Sequence, residues 1–179
     1  MNAFTALGVS AALTDIMKLQ GIVKPTPIQE ASIPSIFKGK DVIGRSQTGT
    51  GKTLAYLLPV IQRVDTEKNT TQVLIMTPTR ELSRQIFDVL RPFAIKLDID
   101  AADIIGGRTI ENQLRKLKRD PAVIIGTPGR LLDHIRRRSL DLSNVKTVIL
   151  DEADQMLANG FREDIEALVD ETPKKRQVL

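Results

Sequence analysis

Ser46-Gln47-Thr48-Gly49-Thr50-Gly51-Lys52-Thr53 is the stretch on which the fold turns. Before it, residues 41–44 carry the β-branched pair Val42-Ile43 and read as a strand. After it, Leu54, Leu57 and Leu58 recur at helical spacing. A strand that ends in a glycine-rich loop and re-emerges as a helix is an anion cradle. The glycines let backbone N–H groups wrap a phosphate chain, and the helix N-terminus adds partial positive charge. Lys52 is long enough to reach the β- and γ-phosphates of a nucleotide, and the Thr53 hydroxyl can ligate Mg2+. All eight residues are therefore candidate nucleotide contacts. The usual pattern opens with glycine, and Ser46 stands there instead. The competing reading is a tight strand-to-helix turn that happens to hold a lysine.

Outward from this loop the chain alternates. Short β-branched runs at Val42-Ile43, 73–76, Ile104-Ile105, 123–125 and 145–150 each suit a strand. Helical stretches are predicted over 52–63, 80–91, 109–119 and 129–138, and Ile110, Leu114 and Leu117 share one helix face. Alternating βα units predict an α/β three-layer domain, a parallel sheet with helices on both faces. Residues 1–30 read as helical, with Ser10 capping a stretch to Leu19. Gln177-Val178-Leu179 reads as the opening of a further strand, so the chain is expected to continue. The only linker candidate, 65–71, is short and polar, and residues 1–179 are read as one domain.

Composition removes several classes. The 179 residues contain no cysteine and one histidine, which excludes disulfides, thiolate sites and a zinc centre. No apolar run approaches the roughly 18–20 residues of a membrane helix. Asp15, Lys18, Lys24 and Glu30 interrupt the first 30 residues, so no secretory signal is visible and a cytoplasmic protein is expected. Net charge is +4, unevenly spread. Residues 108–138 hold nine Lys/Arg against Glu111, Asp120 and Asp133, a net of +6, which leaves −2 elsewhere. That region reads either as a polyanion-binding face or as a solvated helix surface. His134 is expected on a helix surface, Met76 in the core, and Phe161 packing a helix.

Two further motifs carry chemistry. Asp151-Glu152-Ala153-Asp154 follows the apolar run 145–150. Carboxylates at the C-terminal end of a buried parallel strand sit beside a phosphate loop. Asp151 is then the candidate Mg2+ ligand and Glu152 the candidate base for an attacking water; the alternative is a helix N-terminus that favours acidic residues. In Gly21-Ile22-Val23-Lys24-Pro25-Thr26-Pro27-Ile28-Gln29, Thr26 and Gln29 fit a capping box with Pro27 at the first helical position. The Gln29 amide also offers the donor and acceptor that an adenine edge requires.

Taken together these motifs resemble the first RecA-like domain of the DEAD-box RNA helicases. The resemblance covers Phe4 to the last residue. It rests on the adenine-reading Q motif (Gly21 to Gln29, with Phe4 upstream), motif I (Ser46 to Thr53) and motif Ia (Pro78-Thr79-Arg80-Glu81-Leu82). The glycine doublet Gly106-Gly107, motif Ib (Thr127-Pro128-Gly129-Arg130) and motif II (Asp151 to Asp154) follow in order. Ile22 stands where the family usually has an aromatic, and Ser46 where it usually has alanine. The resemblance implies ATP and Mg2+ as cofactors and Phe4 and Gln29 at the adenine. It assigns Lys52, Asp151 and Glu152 to hydrolysis and Asp154 to coupling. Pro78, Thr79, Arg80, Gly106, Gly107, Thr127, Pro128, Gly129 and Arg130 would meet RNA backbone, largely without regard to sequence. With few aromatics in the chain, base stacking is not the expected main mode. Motif III and the second RecA-like domain, with its arginine fingers, are not among these 179 residues. A monomer that binds nucleotide but turns it over poorly is expected. The rivals are another phosphate-loop enzyme and a non-enzymatic scaffold. The guanine-reading Asn-Lys-x-Asp of GTPases does not occur, and a small-molecule kinase would not need motifs Ia and Ib.

Overall fold

The computed structural model describes residues 3–45, 47, 49–107 and 109–179. In chain order the elements are α1 (Ala3–Ala6), α2 (Ala11–Leu19), α3 (Pro27–Phe37), α4 (Lys52–Ile61), β1 (Val73–Met76), α5 (Arg80–Lys96), β2 (Ala101–Ile104) and α6 (Ile110–Leu117). They continue with β3 (Val123–Gly126), α7 (Pro128–Arg136), β4 (Thr147–Leu150), α8 (Ala153–Ala158), α9 (Arg162–Asp170) and β5 (Gln177–Val178). The strands form one sheet in the order β2-β3-β1-β4-β5, and every pairing is parallel. β1 lies at the centre and pairs Val73 with both Val123 and Thr147.

Strand residues alternate between two apolar layers because side chains on a strand alternate faces. Val73, Ile75, Val123, Ile125 and Ile149 join Leu57, Ile86, Leu90 and Phe93 in one buried cluster, to which α1–α5 contribute. Leu74, Met76, Ile124 and Val148 join Leu117, Leu131 and Leu168 in a second cluster, to which α6–α9 contribute. The sheet is thus covered on both faces, which is why 73–76 and 123–125 are apolar without alternation. The three-layer α/β architecture is the one the sequence predicts. Among the described residues no helix is long and apolar enough to cross a membrane.

Two local expectations need correction. Val42-Ile43 is not a strand. Val42 N–H makes one bond, 3.2 Å, to Val178 O, and Ile43 is fully exposed. With a single backbone bond and Ile43 turned to solvent, the pair builds no ladder. His134 is not on the surface but fully buried. It faces Gln113 on α6, with Nε2 3.2 Å from Gln113 Oε1, and Nδ1 lies 2.8 Å from Ser139 Oγ. The half-buried Asp133 and the exposed Arg136 around it occupy other faces of α7. The 65–71 stretch is a surface loop pinned at both ends. Gln72 Nε2 donates to Asp65 O at 2.7 Å, and the buried Thr71 hydroxyl donates to Pro121 O at 3.0 Å.

Candidate nucleotide and nucleic-acid sites

Parallel strands put all their C-terminal ends on one edge, and the loops that leave this edge carry the candidate residues. At its start α4 is capped by Gly51 in the left-handed region, φ 88°, with Gly49 at φ 80°. Only glycine takes such angles without penalty, so the loop can turn tightly into the helix. The exposed Gln47 accepts a 2.7 Å bond at its carbonyl from the Thr50 hydroxyl, and Lys52 and Thr53 are half-buried at the helix start. Ser46 and Thr48 lie outside the described residues.

Gln29 is buried against this loop. Its Oε1 accepts from Thr26 N–H at 2.9 Å, which closes one half of the capping box, and its Nε2 donates to Gly51 O at 3.0 Å. A Cβ at Gly51 would sit 2.4 Å from Gln29 Nε2, so this glycine is required by close approach as well as by φ. The amide thus bridges the start of α3 and the phosphate loop and keeps one N–H and one lone pair for a ligand. Phe4 is fully buried in the apolar cluster with Leu13 and Met17, and Ile22 packs against that cluster.

Asp151 follows β4 and extends the ladder by donating its N–H to Met76 O at 3.0 Å. Its Oδ2 accepts a 2.9 Å bond from the Tyr56 hydroxyl on α4. The Thr53 hydroxyl, one helical turn before Tyr56, meets the same phenol. Burial, then the Asp151 carboxylate, push the Tyr56 pKa well above its ordinary value, so the phenol stays a donor. The two predicted metal ligands therefore converge on one phenol. A carboxylate and a hydroxyl are the hard oxygen donors Mg2+ takes. Among the described residues no group of three or more His, Cys, Asp or Glu could form a cage. Glu152 caps α8 with φ 54° and ψ 48°, and Asp154 is exposed in the first turn of that helix.

On the same edge lies a groove of about 590 Å3. Pro78, Thr79, Arg80, Gly106, Thr127, Gly129 and Arg130 line it. Gly107 adjoins at φ 77°, and Pro128 is buried as the first residue of α7. The Thr79 hydroxyl caps α5 by accepting from Leu82 N–H at 3.2 Å. The Arg80 guanidinium lies over the glycine doublet: a Cβ on Gly106 would come within 2.8 Å of it. Arg130 Nη1 is buried without a hydrogen-bond partner among the described residues. An orphaned buried donor costs about 1–3 kcal/mol, and a phosphate oxygen would fill it.

Sequence reading missed several members of these sites. Tyr56 had one signal: it is the sole tyrosine and follows Lys52 by four residues and Thr53 by three, which puts all three on one helix face. Glu81, Asp133 and Phe161 also line the groove. Phe161 packs on the second apolar cluster, as predicted, and reaches the groove as well. Nothing in the sequence marks that double role.

Comparison with known proteins places these features in context. The family model for DEAD/DEAH box helicases matches residues 26–179. The chain is similar to the ATP-dependent RNA helicase CshA of Limosilactobacillus reuteri, 47% identical over 98% of this chain and 35% of that protein. It is also similar to the DEAD-box ATP-dependent RNA helicase CshA of Bacillus anthracis, 46% identical over all of this chain and 34% of that one. Among solved structures, a DEAD box protein from the hyperthermophile Methanococcus jannaschii superposes with a TM-score of 0.91 at 36% identity. That match covers 99% of this chain and 48% of the other. The chain thus spans about a third of the length of the curated relatives it matches.

Proposed function

This chain belongs to the DEAD/DEAH box helicase family, and from that premise we propose that it is the ATP·Mg2+-binding, N-terminal motor part of an ATP-dependent RNA helicase. In the whole protein it would couple ATP hydrolysis to the unwinding or remodelling of RNA. One observation carries the reading. A single sheet edge holds both the phosphate loop with its oxygen pair, Thr53 and Asp151, and the groove containing Arg80, Arg130 and the glycine doublet.

Each residue then has a task. The loop amides and Lys52 hold the phosphates in place. Thr53 and Asp151 would hold Mg2+, which would supply positive charge to neutralise the transferred phosphoryl group. Glu152 takes a proton from the attacking water. Gln29 presents its spare N–H and lone pair to adenine, with Phe4 in the supporting core, and Asp154 couples the site to RNA. Thr79, Arg80, Thr127 and Arg130 meet sugar and phosphate rather than bases, so binding is largely independent of sequence. The expected compartment is the cytoplasm. The chain is expected to act as a monomer, with RNA and the second RecA-like domain as its partners.

Calorimetry with ADP and GDP tests the nucleotide assignment. ADP should bind more tightly, because a wrong base leaves the Gln29 amide unpaired. Equal affinities would overturn it. The reading also expects little RNA-stimulated turnover from these 179 residues by themselves. An arginine finger supplied by the other domain contributes about 10³–10⁵ in rate in related phosphoryl transfer. ATP turnover of this chain and of the full-length protein, each with and without RNA, measures that difference. Strong stimulation of the 179 residues would place all of the catalytic groups among them.

A further inference from the structure

The family resemblance assigns no task to Tyr56, yet it is the residue that joins the two metal-side oxygens. Its ring is buried, 8% exposed, among the apolar side chains of the first cluster. Its hydroxyl reaches out of that cluster to Asp151 Oδ2 at 2.9 Å and meets the Thr53 hydroxyl. Packing needs only the ring. A phenylalanine would fill the same space and spare the burial of a polar group, which is costly unless bonded. The oxygen therefore has one structural consequence, and it falls on the pair that would hold the metal.

The geometry points to Tyr56 as a positioning residue for Mg2+: by donating to Asp151 Oδ2 it fixes the carboxylate rotamer, so that the other carboxylate oxygen is presented in one orientation. The inference rests on the reading of Asp151 and Thr53 as the metal's protein ligands. A carboxylate without this bond can rotate, and part of the metal's binding energy goes into ordering it. A pre-set one does not incur that cost. Thr53 and Tyr56 share one face of α4, while Asp151 follows β4. The phenol therefore also sets the distance between helix and strand end, which a metal bridging both requires. Tyr56 touches neither metal nor nucleotide in this scheme and acts through Asp151.

Tyr56→Phe removes the oxygen and keeps the ring. The probe is a fluorescent N-methylanthraniloyl-ADP, titrated onto the 179-residue chain in EDTA and then at increasing Mg2+. The variant should need about tenfold more Mg2+ for half-maximal tightening, the usual scale of one hydrogen bond to a charged group. Its affinity in EDTA should match that of the wild type. In an Asp151→Ala background the same substitution should have no further effect, since the two residues act as one unit. An unchanged Mg2+ midpoint, or an equal loss with and without Mg2+, would overturn the positioning role. Wild-type binding indifferent to Mg2+ would instead overturn the metal assignment itself, and this inference with it. A second measurement needs no variant. The chain has one tyrosine and no tryptophan, so its tyrosine emission belongs to Tyr56 alone. Mg2+ added at saturating unlabelled ADP should change that emission as the partner carboxylate takes up the metal. An unchanged spectrum counts against the proposal.

Discussion

Glu152 shares positive φ with Asp98, Asp120 and Arg138 among the described side-chain-bearing residues. Those three follow the C-terminal ends of α5, α6 and α7, where a left-handed residue ordinarily closes a helix. Glu152 is different: it stands between β4 and α8, immediately after Asp151. A left-handed conformation costs a side-chain-bearing residue about 1–2 kcal/mol, and such strain persists where the surroundings enforce it, often at functional sites. The sharp turn lets Asp151 extend the ladder to Met76 while the chain reverses into α8. Glu152→Gln keeps the shape and removes the base. In the full-length protein it should bind ATP normally and hydrolyse it about 10²–10⁴-fold more slowly. Steady-state phosphate release measured beside nucleotide affinity checks this, and an undiminished rate would move the base to another residue.

At the scale of elements, α6 and α7 are joined through buried polar groups rather than apolar packing alone. Gln113 Nε2 donates to Ile105 O at 2.8 Å, which fixes the amide so that Oε1 faces His134. Facing an amide oxygen, His134 Nε2 carries the proton, and Nδ1 lies 2.8 Å from the Ser139 hydroxyl, which is also 3.1 Å from His134 O. The chain of bonds runs from the end of α7 to the residue before the glycine doublet and so sets where that loop sits. Burial lowers the His134 pKa below its ordinary 6.5, with the Arg130 charge adding to the effect, and Asp133 opposes it only in part. The folded state therefore binds fewer protons than the unfolded chain between the lowered value and 6.5. Stability is fully present above that window and falls as pH drops through it. Thermal melts from pH 7.5 to 5.5 should show a declining midpoint for the wild type and a smaller decline for His134→Gln. Parallel curves would mean that the ring does not carry the effect.

Across the whole molecule, two apolar layers clamp a sheet whose C-terminal edge carries Asp151 and the groove, with α4 tied to that edge through the Tyr56–Asp151 bond. The net +6 of residues 108–138 contributes Arg130 to that groove, and Arg108 lies outside the described residues. Several other cations of the region are paired with carboxylates: Lys116 with Asp103, Arg119 with Asp100 and Arg137 with Asp133, the last of which lines the groove. The basic stretch is thus partly a solvated surface and partly groove. If the groove holds RNA backbone, affinity should fall steeply with salt, and Arg130→Ala should lower the slope of log K against log salt by about one. The loss should be similar for unrelated RNA sequences. Filter binding or anisotropy at several salt concentrations reads both quantities, and a loss confined to one sequence would indicate contact with bases.

The sequence determined the fold class and nominated the candidate sites. Apolar runs such as 73–76 and 123–125 have one economical use, as strands buried on both faces, and the glycine spacing of 49–53 permits a loop that few other sequences can form. Both are local properties, written in consecutive residues. Tertiary structure decided what depends on distant partners. His134 is buried because Gln113, 21 residues away, meets it. Val42 makes a single backbone bond, to Val178 far along the chain, and builds no ladder. Gln29 bonds across 22 residues to Gly51, and Tyr56 across 95 to Asp151. A hydrogen bond needs donor and acceptor within about 3 Å, and only packing of the two helical layers on the sheet brings such residues together.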